Sequence, residues 1–584
     1  MTTPATCSAP RVTNKYSTFN WTAATTLRYA TPISSPLRLT TTYAPAFATA
    51  STLLPSNVTT TSYSLNRNAV TVQDGTYGQG AYARLWESIS YNTTIPFTTT
   101  MSPTPVASSE LVFPPALYTP CPSSAGSCLD CYKFPADFIW GVAGSAFQIE
   151  GGLTFAGRGP SDVDTYGALP NIADFANAEV SDMAYFLYKQ DIARLAAIGV
   201  PYYSFSISWT RILPFGNTST PVNEPGLAHY DDVINTCIAY GVTPIVTLQH
   251  NDFPLSLNIG APEYPDAFLN YAKQVMTHYG DRVKYWVTLN EPNLAIGLPY
   301  GSAGYDAVTN VLMAHAKVYH WYKEVLKGTG FVTLKFANNL ALPLDSTNPA
   351  DIRAAQRYQD YILGMMANPI FLGAQYPEEM LNTTNLNLTA LTSEQMGYIN
   401  GTADFWSFDP YTAQYATSAP GGIDACAADP TNPYYPICVI NTNVQKDGWL
   451  MGQASYAYAY LAPQYVRQQL GYVWNTFRPS GILIAEFGFN PWAEYTKPVV
   501  DQLYDLERTL YYQGFLRETL KAMYEDGVNV LGTLAWSVLD NDEFVSYTQQ
   551  YGMQHVNRTD GEFTRSFKRS IFDYVDFFHQ YVAS

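Results

Sequence analysis

The sequence predicts an α/β fold, a (β/α)8 TIM barrel with long loops, and three observations lead to this prediction. The chain has 584 residues, enough for one large barrel with an appendage. Beyond residue 131, short apolar runs alternate eight times with stretches of helical periodicity, which indicates parallel strands joined by helices. Polar residues directly follow several of these runs, and functional residues of such barrels lie at the carboxyl ends of the strands.

Eight strand candidates follow one another along the chain. They are residues 138–140, 202–206, 244–248, 285–289, 332–337, 405–408, 482–485 and 530–535. The helix between the first two has apolar residues at Phe186, Ile192, Leu195 and Ile198. We expect this helix to end at Gly199, because glycine commonly follows the last helical turn.

Residues 1–131 have a different composition, rich in Ser, Thr, Pro, Ala and Tyr, and are predicted to be an extension that precedes a barrel domain over residues 132–584. We expect an irregular or β-rich segment stapled by disulfides, with β-like runs at 69–72 and 111–113. A small β module, a wrapping arm and an O-glycosylated stalk are the alternatives. The cysteines of this segment favour an ordered arrangement.

The seven cysteines fall into three groups. Cys426 and Cys438 flank one loop and are expected to form a disulfide, whereas Cys237 lies in an apolar helix and is expected to be a buried free thiol. Two further disulfides, of open pairing, are expected among Cys7, Cys121, Cys128 and Cys131. A zinc or redox site at the last two is disfavoured, because no second cysteine or histidine pair accompanies them.

The composition narrows the classes of partner and the compartment. A net charge of -17 argues against nucleic acid and anionic membrane surfaces, because phosphates require Lys and Arg. No run approaches the ~20 apolar residues of a membrane span. Eight Asn-x-Ser/Thr sequons predict a secreted glycoprotein. The first residues lack an apolar leader, which favours a mature chain with an added start methionine over unconventional export.

Two glutamates stand directly after predicted strands. Glu291 lies in the string Thr-Leu-Asn-Glu-Pro-Asn, and Glu486 lies in Ile-Ala-Glu-Phe-Gly. Two carboxyls at the ends of parallel strands are the minimum equipment for cleaving a glycosidic bond. One donates a proton to the leaving oxygen, while the other attacks or stabilises the anomeric carbon. A surface or helix-capping role is the alternative for either glutamate taken alone.

A series of short motifs runs through the predicted barrel. They are Phe138-Ile139-Trp140-Gly141, Ala146-Phe147-Gln148-Ile149-Glu150-Gly151, Ser206 to Pro214, Val246-Thr247-Leu248-Gln249-His250, Asn290-Glu291-Pro292, Asp404-Phe405 with Tyr411-Thr412, Glu486 with Gly488, and Trp536 to Asn541 with Glu543. In these motifs and their order, residues 134 to about 580 resemble glycoside hydrolase family 1, the retaining β-glucosidase type. One such string is weak evidence, but the ordered series is specific.

The resemblance implies a role for each glutamate. Glu291 would be the acid/base, with its pKa raised by the neighbouring anion, and Glu486 would be the ionised nucleophile. Arg211 and the hydroxyl of Tyr411 would favour the ionised form of Glu486, although Arg211 could instead brace the barrel wall. Retention requires the two carboxyls to be only ~5–5.5 Å apart. The resemblance calls for no metal or organic cofactor.

The resemblance also implies a sugar-binding set around the pair. Asn290 would bond the sugar 2-hydroxyl, the outer hydroxyls would be held by Gln148, His250 and Glu543, and Trp536 would stack under the ring. Structural histidine, core aromatic and loop-support roles are the alternatives for these side chains.

Several positions depart from the family pattern. They are Asn251 and Phe544, which replace indole donors, Phe487 and Asp409, which replace asparagines, Asp542, which replaces Phe, and Gln550, which replaces a basic residue. Phe544 can still stack on a sugar but cannot donate a hydrogen bond. Asp409 would add a negative charge near Glu486 and disfavour its ionised form unless Arg211 compensates.

The sequence therefore predicts a secreted retaining β-glycosidase, most simply a β-glucosidase that acts on cellobiose or on aryl or alkyl β-glucosides. Glu543 argues against 6-phosphorylated sugars, and Glu291 argues against the thioglucosidase branch of the family. The partner is a small β-glycoside or oligosaccharide, and the oligomeric state stays open. A transglycosylating enzyme with galactoside or fucoside specificity and a carbohydrate-binding pseudoenzyme are the alternatives.

Overall fold

Eight parallel strands close into a barrel at the centre of the molecule. The computed structural model describes residues 27–56, 58–89, 95–117, 132–168, 179–296, 304–544 and 546–583. The barrel strands are β1 Ile139–Ala143, β2 Tyr202–Ser206, β3 Thr243–Gln249, β4 Tyr285–Asn290, β5 Phe331–Ala337, β6 Trp406–Asp409, β7 Ile482–Phe487 and β8 Val530–Trp536. Each strand pairs with the next along the chain and β8 pairs with β1, which confirms the predicted (β/α)8 barrel.

The longer helices surround the barrel. They are α1 Ala184–Ile198, α2 Glu224–Tyr240, α3 Tyr264–Tyr279, α4 Ala307–His320, α5 Pro349–Gln359, α6 Val466–Phe477, α7 Leu506–Glu525 and α8 Arg569–Tyr581. Apolar side chains of these helices pack with the strands in a hydrophobic core that extends from Ala30 in the extension to Tyr581 on α8. Among the described residues no helix is both long and apolar enough to cross a membrane.

Short elements decorate the connecting loops. The short helices are Phe47–Ala50, Gln79–Leu85, Ala146–Ile149, Trp209–Ile212, Pro292–Ala295, Met365–Ala367, Glu378–Leu381, Ser393–Ile399, Ile423–Ala427 and Val499–Leu503. The short strands are Thr60–Thr61 with Val222–Asn223, Leu340–Pro343 with Ala413–Ser418 and Val439–Thr442, Gln453–Ala454 with Tyr460–Leu461, and Gln554–Val556 with Arg565–Phe567.

All eight predicted strands are present, and the first is longer than predicted. β1 continues past residue 140 to Ala143, because Gly141 lacks a side chain where a Cβ would collide with the carbonyl of Tyr202 on β2. The predicted end of α1 is confirmed. Gly199 follows the helix with a φ of 85°, a left-handed conformation that favours glycine.

Two of the cysteine predictions are confirmed. Cys426 and Cys438 form a disulfide with an S–S distance of 2.08 Å, and Cys237 is a buried free thiol on α2. The disulfide ties the helix Ile423–Ala427 to the strand Val439–Thr442 in the long loop after β6. The two further disulfides predicted near the amino terminus fall on Cys7, Cys121, Cys128 and Cys131, which lie outside the described residues.

Residues 27–56 form the first part of an arm that wraps the outside of the barrel. Backbone hydrogen bonds join Ile33 to Ala196 at the end of α1 (2.8 Å) and Leu37 to Ile238 on α2 (2.8 Å). The guanidinium of Arg28 pairs with Asp576 on α8 at 3.0 Å. Residues 27–56 therefore correspond to the wrapping arm, one of the three alternatives for the extension.

The second part of the arm, residues 58–89, is largely irregular. The β-like run at 69–72 was predicted wrongly, since Arg67–Thr71 is a 3-10 helix that begins where the Asn66 side chain accepts a bond from the N–H of Asn68. The run at 111–113 makes only an isolated bridge, between Val112 and Tyr29.

This second part also reaches the open end of the barrel. Tyr63, Tyr82 and Trp86 pack in one apolar cluster with Phe147 and Phe215 of the barrel loops, and Phe544 packs against the same cluster. The hydroxyl of Tyr82 donates a hydrogen bond to the carbonyl of Arg158 at 2.6 Å. The arm therefore supports the loops that follow β1, β2 and β8.

The helix-end glycines give a test of how much the arm stabilises the molecule. A methyl group at Gly241 (φ 77°) would collide with the carbonyl of Ser35 in the arm, whereas one at Gly527 (φ 71°) meets no atom within 4 Å. We expect Gly527→Ala to cost about 1–2 kcal/mol from its left-handed backbone alone, and Gly241→Ala to cost distinctly more. Urea unfolding and limited proteolysis within residues 27–56 measure the difference. Equal losses with unchanged protease protection would show that the arm contributes nothing.

Candidate active site

The two predicted glutamates lie at the same end of the barrel. Glu291 directly follows β4, and Glu486 is the penultimate residue of β7. The backbone of Glu291 is left-handed, with a φ of 43°, and its N–H donates to the carbonyl of Lys335 at 2.7 Å. A non-glycine residue in this region is strained, and such residues cluster at functional sites. This backbone conformation turns the chain sharply away from the strand, and the hydrogen bond to Lys335 holds Glu291 against β5.

The carboxylate of Glu486 is buried and engaged at both oxygens. The hydroxyl of Tyr411 donates to Oε2 at 2.9 Å, and the ammonium of Lys335 contacts Oε1. His250 Nδ1 lies 4.0 Å from Oε1. Two donors, one of them cationic, favour the ionised form of a carboxyl group.

The expected support of Glu486 by Arg211 is wrong. The Nε atom of Arg211 donates instead to Glu150 at 2.7 Å, its Nη2 donates to the carbonyl of Gly151 at 2.8 Å, and the guanidinium stacks over Tyr185 at 4.2 Å. Glu150 also accepts from the hydroxyl of Tyr230 at 2.7 Å. Arg211 therefore braces the wall of the barrel, because a closer buried carboxylate satisfies its charge.

Lys335 occupies the place that the sequence analysis gave to Arg211. It lies on β5, is 2% exposed, and points its ammonium at Glu486. Burial alone would lower the pKa of Lys335, but the neighbouring carboxyl groups of Asp409 and Glu486 raise it above its ordinary value. The sequence contains a hint of this role, because Lys335 is the one charged residue in the predicted strand 332–337. A lysine buried in a strand requires a partner of opposite charge.

Asp409 ends β6 and faces the same pocket. Its Oδ2 lies 3.6 Å from the ammonium of Lys335, and its carboxyl group acts on those of Glu486 and Glu291. Burial, and then the charge of Glu486, raises the pKa of Asp409 well above its ordinary value. The cation beside Asp409 is therefore Lys335 and not Arg211.

Glu291 is the carboxyl group that this arrangement keeps protonated. Burial, and then the charge of Glu486, raises its pKa to about 8, while Lys335 and Asp409 act in the opposite direction. Glu291 is thus protonated at neutral pH. The site can supply a proton from one side and a negative charge from the other.

The predicted sugar-binding residues form one wall beside the glutamates. Glu543 accepts from Trp536 Nε1 at 2.9 Å and from Gln148 Nε2 at 3.2 Å, and burial raises its pKa to about 8. The ring of His250 stacks on that of Trp536 with centroids 5.6 Å apart, and its Nε2 lies 3.1 Å from Asn290 Nδ2. All of these side chains therefore meet at the carboxyl ends of β1, β3, β4 and β8.

The residues that depart from the family pattern lie in different places. Phe544 lies at the pocket, where its ring stacks on Phe147 at 5.7 Å and on His250 at 6.5 Å. Phe487 points away from the pocket and packs among the outer helices against Phe515 at 4.6 Å. Asn251 has a left-handed backbone with a φ of 58°.

The last two departures lie in the loop after β8. The N–H of Asp542 donates to the carbonyl of Gln148 at 3.0 Å, and burial raises the pKa of its carboxyl to about 7. Gln550 reaches Gln502 at 3.2 Å and Asp540 at 3.4 Å.

Known proteins resemble this chain along most of its length. The profile of glycosyl hydrolase family 1 matches residues 131–581. Beta-glucosidase 1B of Phanerodontia chrysosporium is 34% identical over 459 residues, which cover 73% of this chain and 82% of the relative. Myrosinase 1 of Brevicoryne brassicae is 30% identical over 474 residues, 76% of this chain and 97% of the relative.

Solved structures share the fold. A beta-glucosidase of the fungus Humicola insolens in complex with glucose has a TM-score of 0.73 and 30% identity, covering 77% of this chain and 99% of its own. Beta-glucosidase 2 of Trichoderma reesei in complex with Tris has a TM-score of 0.72 and 30% identity, covering 77% and 100%. The barrel, the two glutamates and these relatives lead to one conclusion: the chain belongs to glycosyl hydrolase family 1 and is a β-glycosidase.

Proposed function

We propose that this enzyme is a retaining β-glucosidase that removes terminal non-reducing β-D-glucosyl residues through a covalent glycosyl-enzyme. The observation that carries the proposal is the unequal environment of the two carboxyls. Glu486 faces an ammonium and a phenol, whereas Glu291 is buried beside that negative charge and holds a proton. One group suited to attack and one suited to donate are the two roles that retention requires.

In the first step Glu486 attacks the anomeric carbon, and the bond between that carbon and the glycosidic oxygen breaks. The leaving oxygen takes the proton of Glu291, which becomes a carboxylate. In the second step Glu291 takes a proton from water, whose oxygen attacks the anomeric carbon and releases Glu486. The hydroxyl of Tyr411 can donate a hydrogen bond to the carboxylate of Glu486 before it attacks and again when it is released.

Glucose as the sugar is supported by the relatives and by the polar wall. The curated relatives include several beta-glucosidases, and one structural neighbour holds glucose. Glu543, held by Trp536 and Gln148, presents a carboxyl group that can accept and, when protonated, donate hydrogen bonds to sugar hydroxyls. An ionised Glu543 would repel a phosphorylated sugar.

The aglycone is expected to be aromatic, alkyl or a second sugar, because exposed aromatic rings border the pocket. Tyr458, 48% exposed, makes an edge contact with Tyr411 at 5.5 Å. Farther out, Tyr456 contacts Trp492, 62% exposed, at 5.5 Å and Tyr495 at 5.6 Å. Such rings offer flat apolar faces on which an aryl group or a pyranose can stack.

We also propose that the protein is secreted. The disulfide between Cys426 and Cys438 supports an oxidising compartment, and the eight sequons are compatible with glycosylation there.

The roles of the two glutamates are tested with leaving groups of different acidity. We expect Glu486→Gln to abolish turnover of every β-glucoside. Glu291→Gln should slow an alkyl β-glucoside by about 10²–10⁴-fold but affect a dinitrophenyl β-glucoside much less in the glycosylation step, because that leaving group needs no proton. Single-turnover kinetics of both substrates measure this step. Equal losses on the two substrates would reject Glu291 as the acid.

The pH profile is expected to follow the proton of Glu291. The acid acts only when protonated, and its pKa is raised to about 8, so kcat/KM should be retained through neutral pH and fall as pH rises through about 8. Initial rates on an aryl β-glucoside across the pH range provide the test. A fall that begins near the ordinary carboxyl pKa would contradict the assignment.

Stereochemistry and sugar choice are tested together on aryl β-glycosides. We expect glucoside to exceed galactoside, fucoside and mannoside in kcat/KM, and proton NMR to show β-glucose as the first product. Initial release of α-glucose would reject retention, and sugar binding without turnover would favour the pseudoenzyme. Addition of methanol measures transglycosylation, which appears as methyl β-glucoside.

A further inference from the structure

Two further ionisable side chains lie at the active site but take no part in making or breaking bonds in the mechanism above. Lys335 and Asp409 are 2% and 1% exposed and come from the neighbouring strands β5 and β6. Each of them acts electrostatically on both Glu291 and Glu486. A buried lysine and a third buried carboxyl are costly to remove from water, so their arrangement must be compensated locally.

The ammonium of Lys335 forms an ion pair with Glu486. It contacts Oε1 of Glu486 directly but lies 3.6 Å from Asp409 Oδ2, beyond hydrogen-bonding distance. A protonated, ion-paired amine carries no lone pair, so Lys335 is not itself a nucleophile. Its positive charge balances one of the three carboxyls.

Asp409 lacks the donors that an ionised carboxylate needs. Within the described part of the chain, neither oxygen accepts a hydrogen bond from an N–H or O–H group. The other carboxyl group that acts on it, besides that of Glu486, is the carboxyl of Glu291. Two carboxyls can hydrogen-bond to each other only when one of them is protonated.

We propose that Lys335 and Asp409 set the charge of the active site: Lys335 is the counter-ion of Glu486, and Asp409 is a protonated positioning residue that donates a hydrogen bond to Glu291. The inference rests on the proposed function, in which these glutamates are nucleophile and acid. It accounts for a site with three carboxyls and one lysine that is neutral when only Glu486 is ionised.

The hydrogen bond acts when the substrate bond breaks. Glu291 gives its proton to the leaving oxygen and becomes an anion, while Asp409 keeps its own proton and stabilises that anion. When Glu291 later takes a proton from water, the original state returns. Asp409 therefore exchanges no proton with the substrate and acts only through Glu291.

The other ionisable groups around the pair leave this charge balance intact at neutral pH. His250, directly after β3, is neutral, because burial and then Lys335 lower its pKa well below the ordinary value. Tyr411 after β6 is a hydrogen-bond donor, with a pKa that burial raises well above the ordinary value. Glu543 after β8 has a pKa of about 8, and the hydroxyl of Tyr458 faces the pocket from the long loop after β6.

Asp409→Asn tests the state of Asp409 by the sign of one shift. An amide is a weaker donor than a carboxylic acid, so the alkaline limb of kcat/KM, which reports Glu291, should move to higher pH by about half a unit to one unit. An ionised Asp409 would repel the anion of Glu291, so its loss would move the limb to lower pH. A downward shift or an unmoved limb overturns the inference.

Asp542→Asn is the matched control for Asp409→Asn. Asp542 is as buried as Asp409, but its charge acts on Glu543 and not on Glu291. The alkaline limb of this variant should stay in place.

Lys335→Met tests the counter-ion, with Lys335→Arg as the charge-preserving variant. Loss of the ammonium leaves the negative charge of Glu486 without its counter-ion, so the acidic limb of kcat/KM should move to higher pH by about one unit or more, and kcat/KM should fall about tenfold at acidic pH. Lys335→Arg should restore the limb to within about half a unit. An unmoved limb in Lys335→Met would show that Lys335 only fills space.

Infrared spectroscopy of the free enzyme separates this inference from the proposed function. At neutral pH the wild-type protein should show a protonated-carboxyl band that Asp409→Asn lacks, whether or not any glycoside is cleaved. Absence of that difference overturns the protonated state of Asp409, and inactivity towards glycosides with the band present overturns only the proposed function. The measurement also holds if Lys335→Met fails to fold.

Discussion

The contact between the ammonium of Lys335 and the carboxylate of Glu486 is the interaction on which the site depends. A single negative charge inside the barrel is costly in free energy without a cation beside it. The contact with Lys335 places that charge on Glu486 rather than on Glu291 or Asp409. Because four adjacent strands supply these four groups, the barrel itself fixes which carboxyl receives the ammonium. The left-handed turn at Glu291 sets the other half of the arrangement.

The sequence was sufficient for the barrel and for the two glutamates, because strand–helix alternation and strand-end motifs are local patterns. It was misleading for Arg211, whose partner Glu150 lies 61 residues away and is revealed only when the chain is folded. Lys335 was missed because it belongs to no motif, although a lysine in an apolar strand is itself a signal. The run at 69–72 has β propensity, but the cap at Asn66 and tertiary packing decide its conformation.

The wall that faces the sugar is linked to the extension that precedes the barrel. Phe544 stacks on His250 inside the site and packs against the cluster of Tyr63, Tyr82 and Trp86 outside it. The aromatic ring that stands where the family has an indole is therefore held from both sides. Changes in the arm can therefore reach the sugar pocket through the side chain of Phe544.

The arm also has a consequence for the order of events during synthesis. It leaves the ribosome first, yet Arg28 meets its partner Asp576 only after 548 further residues have been made. The surfaces that bind the arm on α1, α2 and α8 do not exist until those helices have packed on the barrel. The arm must therefore remain unattached through most of translation and bind to the barrel afterwards, so that α8 holds the start of the arm in place at the end of folding.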